Sequence, residues 1–173
     1  MNKSQNQISN DQATNSNTTN YLTITSPIGN LTLAEQNGFL THIYLNMETP
    51  TESTTNKILL DTSAQLTEYF DGTRKEFTIP LNPKGGPFLQ RVWKIMTSSQ
   101  LPFGTTITYS ALANLAGNPR ASRAVGMANN RNPIPIIIPC HRVVGKNGTL
   151  TGFRGGLSMK EQLLSHEKKH SKT

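Results

Sequence analysis

From Tyr21 to Leu45 apolar and polar residues alternate with a period of two. YLTIT (21–25), NLTLAE (30–35) and FLTHIYL (39–45) each read as a half-buried strand. SPIG joins the first two. QNG joins the last two, where Asn37-Gly38 tolerates the positive φ of a two-residue hairpin loop. Beyond a polar loop over 46–56 the period changes. Leu59, Leu66, Tyr69 and Phe70 fall at helical spacing with Gly72 just past them, which predicts a helix over 57–70. EFTIPL (76–81) predicts a short strand, and NPKGG (82–86) a domain linker. Residues 1–19 are nearly all Asn, Gln, Ser and Thr. They hold too little apolar surface to offset ordering entropy and are expected to be a disordered tail.

The second half is dominated by helical spacing. Phe88, Val92, Ile95 and Met96 mark one helix, and Pro102 with Gly104 break the pattern. Thr108 is placed to cap a helix over 109–116 with Gly117 as its stop. Asn118-Pro119 then reads as N-cap and first position of a helix running to about Asn130. Two short helices joined by a tight turn, the second carrying Arg120, Arg123 and Arg131, fit a helix-turn-helix as well as an ordinary helical hairpin. IPIIIPC (134–140) predicts a buried strand, and GKNGTLTGFRGG (145–156) a glycine-rich loop. Ser158 and Glu161 form a capping-box pattern opening a last helix through about Glu167. The domains expected are the tail 1–19, an α/β unit over 20–83 and a mostly helical unit over 86–170.

Charge divides along the same line. Residues 1–83 carry four Lys/Arg against eight acids; residues 84–173 carry thirteen against two, within a net charge of +7. A basic second half suits a polyanionic partner such as nucleic acid. There is no apolar run of about 18 residues, so no membrane span is expected. The first residues lack the apolar core of a secretory signal. One cysteine allows no internal disulfide, and with four histidines it makes a poor metal inventory; a reducing, cytoplasmic compartment is expected, with no metal and no cofactor.

That cysteine, Cys140, stands in PCHRVVG (139–145), at the end of the apolar run and directly before His141 and Arg142. A neighbouring imidazole or guanidinium favours thiolate over thiol, and thiolate is the form that attacks carbon. On these residues alone a buried structural cysteine, a Cys/His hydrolase and another thiol-based reaction all remain open.

IIIPCHRVV resembles the active-site segment of the O6-alkylguanine-DNA alkyltransferases, the methylated-DNA–protein-cysteine methyltransferases. FLQRVW, FGTTITYSALANLAGNPRASRAVGMANNRNP, GFRGG and KEQLLSHE resemble other segments of that family, in its order and spacing. The likeness is close over roughly 86–168, while 21–81 fits the family's ribonuclease-H-like domain by element pattern. The resemblance implies an α/β ribonuclease-H-like N-terminal domain and a mostly α C-terminal domain with a helix-turn-helix (winged-helix-like) DNA-binding unit. It implies direct-reversal repair: O6-alkylguanine is flipped from the duplex and its alkyl group passes irreversibly to Cys140, once per molecule.

Carried over residue by residue, the resemblance makes Cys140 the acceptor, His141 the group that takes the thiol proton through a water, and Glu167 the carboxylate that orients it. Asn132 links the recognition helix to the active-site segment. Tyr109 helps rotate the nucleotide and bonds the purine. Arg123 fills the gap in the base stack, with Ala121, Ser122 and Gly126 allowing the helix close to the minor groove. Pro135, Val143, Phe153, Arg154 and Gly155 are pocket positions. The partner implied is double-stranded DNA carrying O6-alkylguanine, with O4-alkylthymine a second candidate lesion and a monomer in solution able to load cooperatively on DNA. Phe153 departs from a tyrosine found in many relatives. The chain also lacks the zinc-binding cluster and the cysteine-rich phosphotriester-repair domain of some relatives, which argues against a transcriptional role.

Overall fold

The computed structural model describes residues 18–47 and 54–171. The tail expected over 1–19, up to residue 17, and the middle of the 46–56 loop lie outside these residues. Three strands, β1 (Asn20–Ser26), β2 (Gly29–Gln36) and β3 (Phe39–Leu45), form an antiparallel sheet in that order. The alternation does what the sequence leads one to expect. Leu22, Leu33 and Ile43 lie in register, and so do Ile24, Leu31 and Leu45, so one face is apolar. Asn37 and Gly38 have φ of 55° and 83°, the two left-handed residues that a tight hairpin loop requires. A register shift at Ala34/Glu35 turns Glu35 inward. Its carboxylate accepts from Gly38 N, Asn20 Nδ2 and Asn56 Nδ2 at 2.6, 2.8 and 2.6 Å.

Helix α1 (Lys57–Phe70) covers the apolar face. Asn56 caps it by accepting from Leu59 N, and Leu59, Thr62, Leu66 and Tyr69 form its buried stripe. The strand expected at 76–81 is absent. Leu81 alone pairs with Leu40, because Pro80 offers a carbonyl to Leu40 N but no N–H of its own.

Helix α2 (Pro87–Met96) starts with proline at its first turn and buries Val92, Trp93 and Met96. Trp93 Nε1 donates to Ala128 O at 2.9 Å and so locks α2 against α4 (Ser122–Asn130). Between them, β4 (Ile107–Thr108) leads into α3 (Tyr109–Leu115), whose cap is Thr108, as expected. Helix α4 begins three residues later than the sequence suggested. Asn118 uses its side chain to accept from Arg120 N and its carbonyl to accept from Ala121 N, so 118–121 is a separate turn and Ala121 is the N-cap.

The expected strand over 134–140 is also absent. Pro133, Pro135 and Pro139 have no N–H for a ladder, and Ile136 sits at φ 74°. Asn132 replaces the ladder: Nδ2 donates to Ile138 O at 2.7 Å and Oδ1 accepts from Ile134 N at 3.0 Å. A 3-10 turn over Cys140–Arg142 follows, then β5 (Val143–Val144), parallel to β4. Helix α5 (Leu157–His170) is capped by Gly156 rather than by the Ser158/Glu161 box; Ser158 lies inside the helix and accepts from Gln162. It also runs three residues past the predicted end at Glu167. One apolar cluster runs through both halves, from Leu31 and Leu66 to Val143 and Leu163. Among the described residues no helix is long and apolar enough to cross a membrane.

Leu66 is fully buried and Leu60, on the same helix, is 47% exposed. Leu66→Ala is expected to cost about 2–5 kcal/mol in urea unfolding, and Leu60→Ala within about 0.5 kcal/mol of zero. Equal losses would show that α1 does not seat its 59/62/66/69 stripe on the sheet.

Candidate active site

The 3-10 turn delivers three consecutive side chains to different places. Cys140 is 6% exposed and lines a cavity of about 250 Å³. Of the residues singled out from sequence, Tyr109, Gly126, Asn132, Pro135, Phe153 and Arg154 share that cavity. Val143 and Gly155 do not. Val143 is fully buried in β5. A Cβ on Gly155 would stand 2.3 Å from Met159 Sδ, so Gly155 is a packing position. Asn129, Asn130 and Gly152 complete the wall and carried no sequence signal. Arg123 and Ser122 lie at the start of α4, with Arg123 exposed and Ser122 and Ala121 half-buried. Gly126 faces Tyr109 across the cavity, where a Cβ would stand in ordinary contact, 3.9 Å from Tyr109 Cε1. Tyr109 Oη accepts from Thr151 Oγ1 at 3.0 Å and keeps its own hydrogen to donate.

Behind the cysteine, His141 and Arg142 both turn to Glu167, which is fully buried. His141 Nε2 reaches Glu167 Oε1 at 2.7 Å. Arg142 donates through Nε to Oε2 at 2.9 Å and through Nη2 to Oε1 at 3.1 Å, while Nη1 donates to Leu101 O at 2.7 Å. Gly104 N donates to Oε2 at 2.9 Å, and Tyr69 Oη to Oε1 at 2.9 Å. Burial pushes the Glu167 pKa up, but the bonds and charges of His141 and Arg142 outweigh it and bring it down to about 2. Burial lowers the His141 pKa despite Glu167, so the ring rests neutral.

A charged carboxylate can only accept, so the neutral ring carries its hydrogen on Nε2 and leaves a lone pair on Nδ1. Nδ1 is buried and has no hydrogen-bond partner among the described residues. The site therefore holds a neutral base with its basic nitrogen unengaged.

The thiol corrects one expectation. Its pKa is raised, chiefly by burial, although Asn132, the charge of Lys160 and its own backbone N–H pull the other way. The adjacent imidazole and guanidinium are committed to Glu167, so Cys140 rests as a thiol. Lys160 is fully buried and ties two loops together, donating to Val143 O at 2.6 Å and Thr151 O at 2.8 Å.

Two family models divide the chain. The 6-O-methylguanine DNA methyltransferase ribonuclease-like domain matches residues 20–83, and the DNA binding domain of the same methyltransferase matches 87–169. The chain belongs to this family. It is 40% identical over 158 residues to the constitutive methylated-DNA–protein-cysteine methyltransferase of Bacillus subtilis, covering 86% of this chain and 94% of that one. It is 45% identical to the Methanosarcina mazei methylated-DNA–protein-cysteine methyltransferase, covering 88% and 99%. A crystal structure of Mycobacterium tuberculosis OGT in complex with DNA superposes with a TM-score of 0.79 at 42% identity, covering 87% of this chain and 94% of that one. The ribonuclease-like α/β domain and the mostly helical DNA-binding domain are thus the family's two parts.

Three residues of the network, Tyr69, Arg142 and Lys160, were not singled out as site residues from sequence. Arg142 stood in view beside His141, but nothing in the sequence tells that its fork serves Glu167. Tyr69 read as one more member of an apolar helical stripe. Lys160 figured only as part of the KEQLLSHE segment.

The Glu167 pKa lies below the ordinary 4.5, so its ionisation stabilises the fold above pH 4.5, and that contribution is lost as pH falls toward about 2. Glu167→Gln is expected to lower stability at neutral pH by about 3–5 kcal/mol, since it leaves Arg142 buried without its anion. It should also flatten the loss of stability between about pH 5 and pH 2. Chemical denaturation at a series of pH values checks both; an unchanged slope would mean that Glu167 is not ionised in the folded protein.

Proposed function

We propose that this protein repairs O6-methylguanine in duplex DNA directly, moving the methyl group onto Cys140 once per molecule. The observation that carries this reading is a cavity-lining thiol followed directly in the chain by a buried, neutral His141 whose Nδ1 has no partner among the described residues.

The steps follow from the geometry. Helix α4 presents Arg123 and the small residues Ala121, Ser122, Ala124 and Gly126, which let the backbone approach DNA closely. A base inside the stack cannot bring its O6 substituent to a buried sulfur, so the nucleotide is rotated out at a cost of a few kcal/mol. Arg123 takes its place in the stack. The cavity is large enough for a purine ring, with Tyr109 Oη available to donate to it and Phe153 and Pro135 as its walls.

The thiol proton passes to His141 Nδ1, directly or across one water, and Glu167 stabilises the imidazolium. The thiolate attacks the methyl carbon, the C–S bond forms and the C–O6 bond breaks. Guanine leaves with the electron pair and is protonated. The product is a thioether. No group in the site can remove the methyl, so the cysteine is spent. Phe153 keeps an aromatic wall but offers no hydroxyl, and this bears on rate and substrate range. The reading covers larger O6-alkyl groups and O4-alkylthymine as candidate substrates, a monomer that can load cooperatively on DNA, and a cytoplasmic location.

Intact-protein mass after mixing with a duplex holding one O6-methylguanine is expected to rise once, by about 14 Da, and not at all in Cys140→Ser. Tight lesion binding without a mass gain would instead make the protein a lesion-recognition module. Turnover of small esters would make it a hydrolase. Arg123→Ala is expected to slow transfer from duplex DNA by roughly tenfold or more while leaving transfer from the free O6-methylguanine base unchanged, because only the former needs base rotation. Equal slowing of both would remove Arg123 from that role.

A further inference from the structure

Tyr69 belongs to the opposite domain from Cys140, yet its hydroxyl reaches the carboxylate that serves His141. It is the penultimate residue of α1 and is fully buried. Oη donates to Glu167 Oε1 at 2.9 Å, the oxygen that His141 Nε2 reaches at 2.7 Å. The other groups bonded to Glu167 are Gly104 N, His141 and Arg142, all from the DNA-binding domain.

The tyrosine is fixed at each end. Its ring makes edge contacts with Phe70 and Phe103, at centroid distances of 5.2 and 5.9 Å, and lies tilted over Phe77 at 5.6 Å. Its carbonyl accepts from His166 Nε2 at 2.7 Å. Burial, and then the negative charge of Glu167, push its own pKa well up, so the phenol stays a donor at any working pH.

We propose that Tyr69 is a positioning residue of the transfer reaction, through which the ribonuclease-like domain sets the orientation and base strength of His141. The proposal rests on the reading of Cys140 as acceptor and His141 as base.

Oε1 is shared by Tyr69, His141 and Arg142 Nη2, and a carboxylate oxygen has two in-plane lone pairs. The phenol therefore narrows the directions left for Nε2–H and fixes the ring that carries Nδ1. It also draws electron density from Oε1. That makes Oε1 a weaker acceptor and holds down the proton affinity of the imidazole. The charged and titratable groups around His141 are Glu167 and Lys160 from α5, Arg142 and Cys140 from its own turn, and Tyr69 from α1. His166 lies on the far side of Tyr69. Arg142 and Lys160 disfavour the imidazolium and Glu167 favours it. Tyr69 moderates the only favouring charge among them.

Removing the hydroxyl concentrates charge on Oε1 and loosens the ring. His141 then holds a proton to higher pH, and fewer molecules present a free Nδ1.

The test is single-turnover methyl transfer from a duplex with one O6-methylguanine, followed across about pH 5 to 9 for wild type, Tyr69→Phe and Phe77→Leu. Duplex affinity and melting temperature are measured beside it. Tyr69→Phe is expected to move the acidic limb of the rate profile to higher pH and lower the plateau roughly tenfold, the effect of one lost hydrogen bond to a charged group, with duplex affinity unchanged. Phe77→Leu removes part of the ring's seat and should lower the melting temperature with the profile unmoved. An unmoved profile in Tyr69→Phe, or the same shift in both variants, would reduce Tyr69 to packing and overturn the proposal. No transfer by the wild type would instead overturn the reading of Cys140, whatever Tyr69 does.

Discussion

The burial of the Glu167 carboxylate is the constraint around which this protein is arranged. An unpaired buried carboxylate is costly, and here the cost is offset by donors drawn from three separate places: Tyr69 at the end of α1, Gly104 in the loop before β4, and the Cys140–Arg142 turn. Each donor fixes an element. Arg142 anchors the turn and reaches on to Leu101, Gly104 pins the loop before β4, and Tyr69 ties α1 to the other half. The chain cannot satisfy this carboxylate without also setting Cys140 against its cavity.

The same arrangement explains why Cys140 rests as a thiol. Lys160 and Arg154 lie near the thiol and favour thiolate. Lys160, however, is spent on two backbone carbonyls and Arg154 on Asn130 O, and burial of the sulfur prevails. In the proposed reaction, activation depends on a proton acceptor rather than on a standing negative charge, the role proposed for His141, which is neutral by burial and bonded to Glu167. A thiol of this kind spends little time as a nucleophile until a substrate sits over it.

Much of this was legible in the sequence, for physical reasons that can be named. Period-two alternation between Tyr21 and Leu45 gave the sheet, and Asn37-Gly38 its turn. Thr108 announced α3 because a side-chain acceptor before an apolar run has one common use. The failures are equally instructive. IPIIIPC has strand composition, but three prolines flank and interrupt it, and an asparagine side chain supplies the bonds a ladder would have made. Ser158 and Glu161 have capping-box spacing, yet Gly156 takes the cap. Within the site, Cys140 and His141 stood out from the residue chemistry of PCHRVVG, and Glu167 came from motif resemblance. Tyr69, Arg142 and Lys160 were invisible as site residues because their roles depend on which buried atom they face, and spacing along a chain does not encode that. Val143 and Gly155, carried over from the resemblance as pocket positions, are buried or packed beside the cavity lining rather than part of it.

The links to Glu167 also impose an order of events. Synthesis runs from the N-terminus, so the sheet, α1 and the Cys140 turn exist on the ribosome before α5 does. Until α5 docks, His141 has no carboxylate to orient it and Arg142 no anion to hold. Tyr69 and Glu167, 98 residues apart, close the largest loop among the side-chain bonds described. Closing such a loop is entropically late in folding. The surroundings of His141 and Arg142 are therefore complete only once α5 has packed against them.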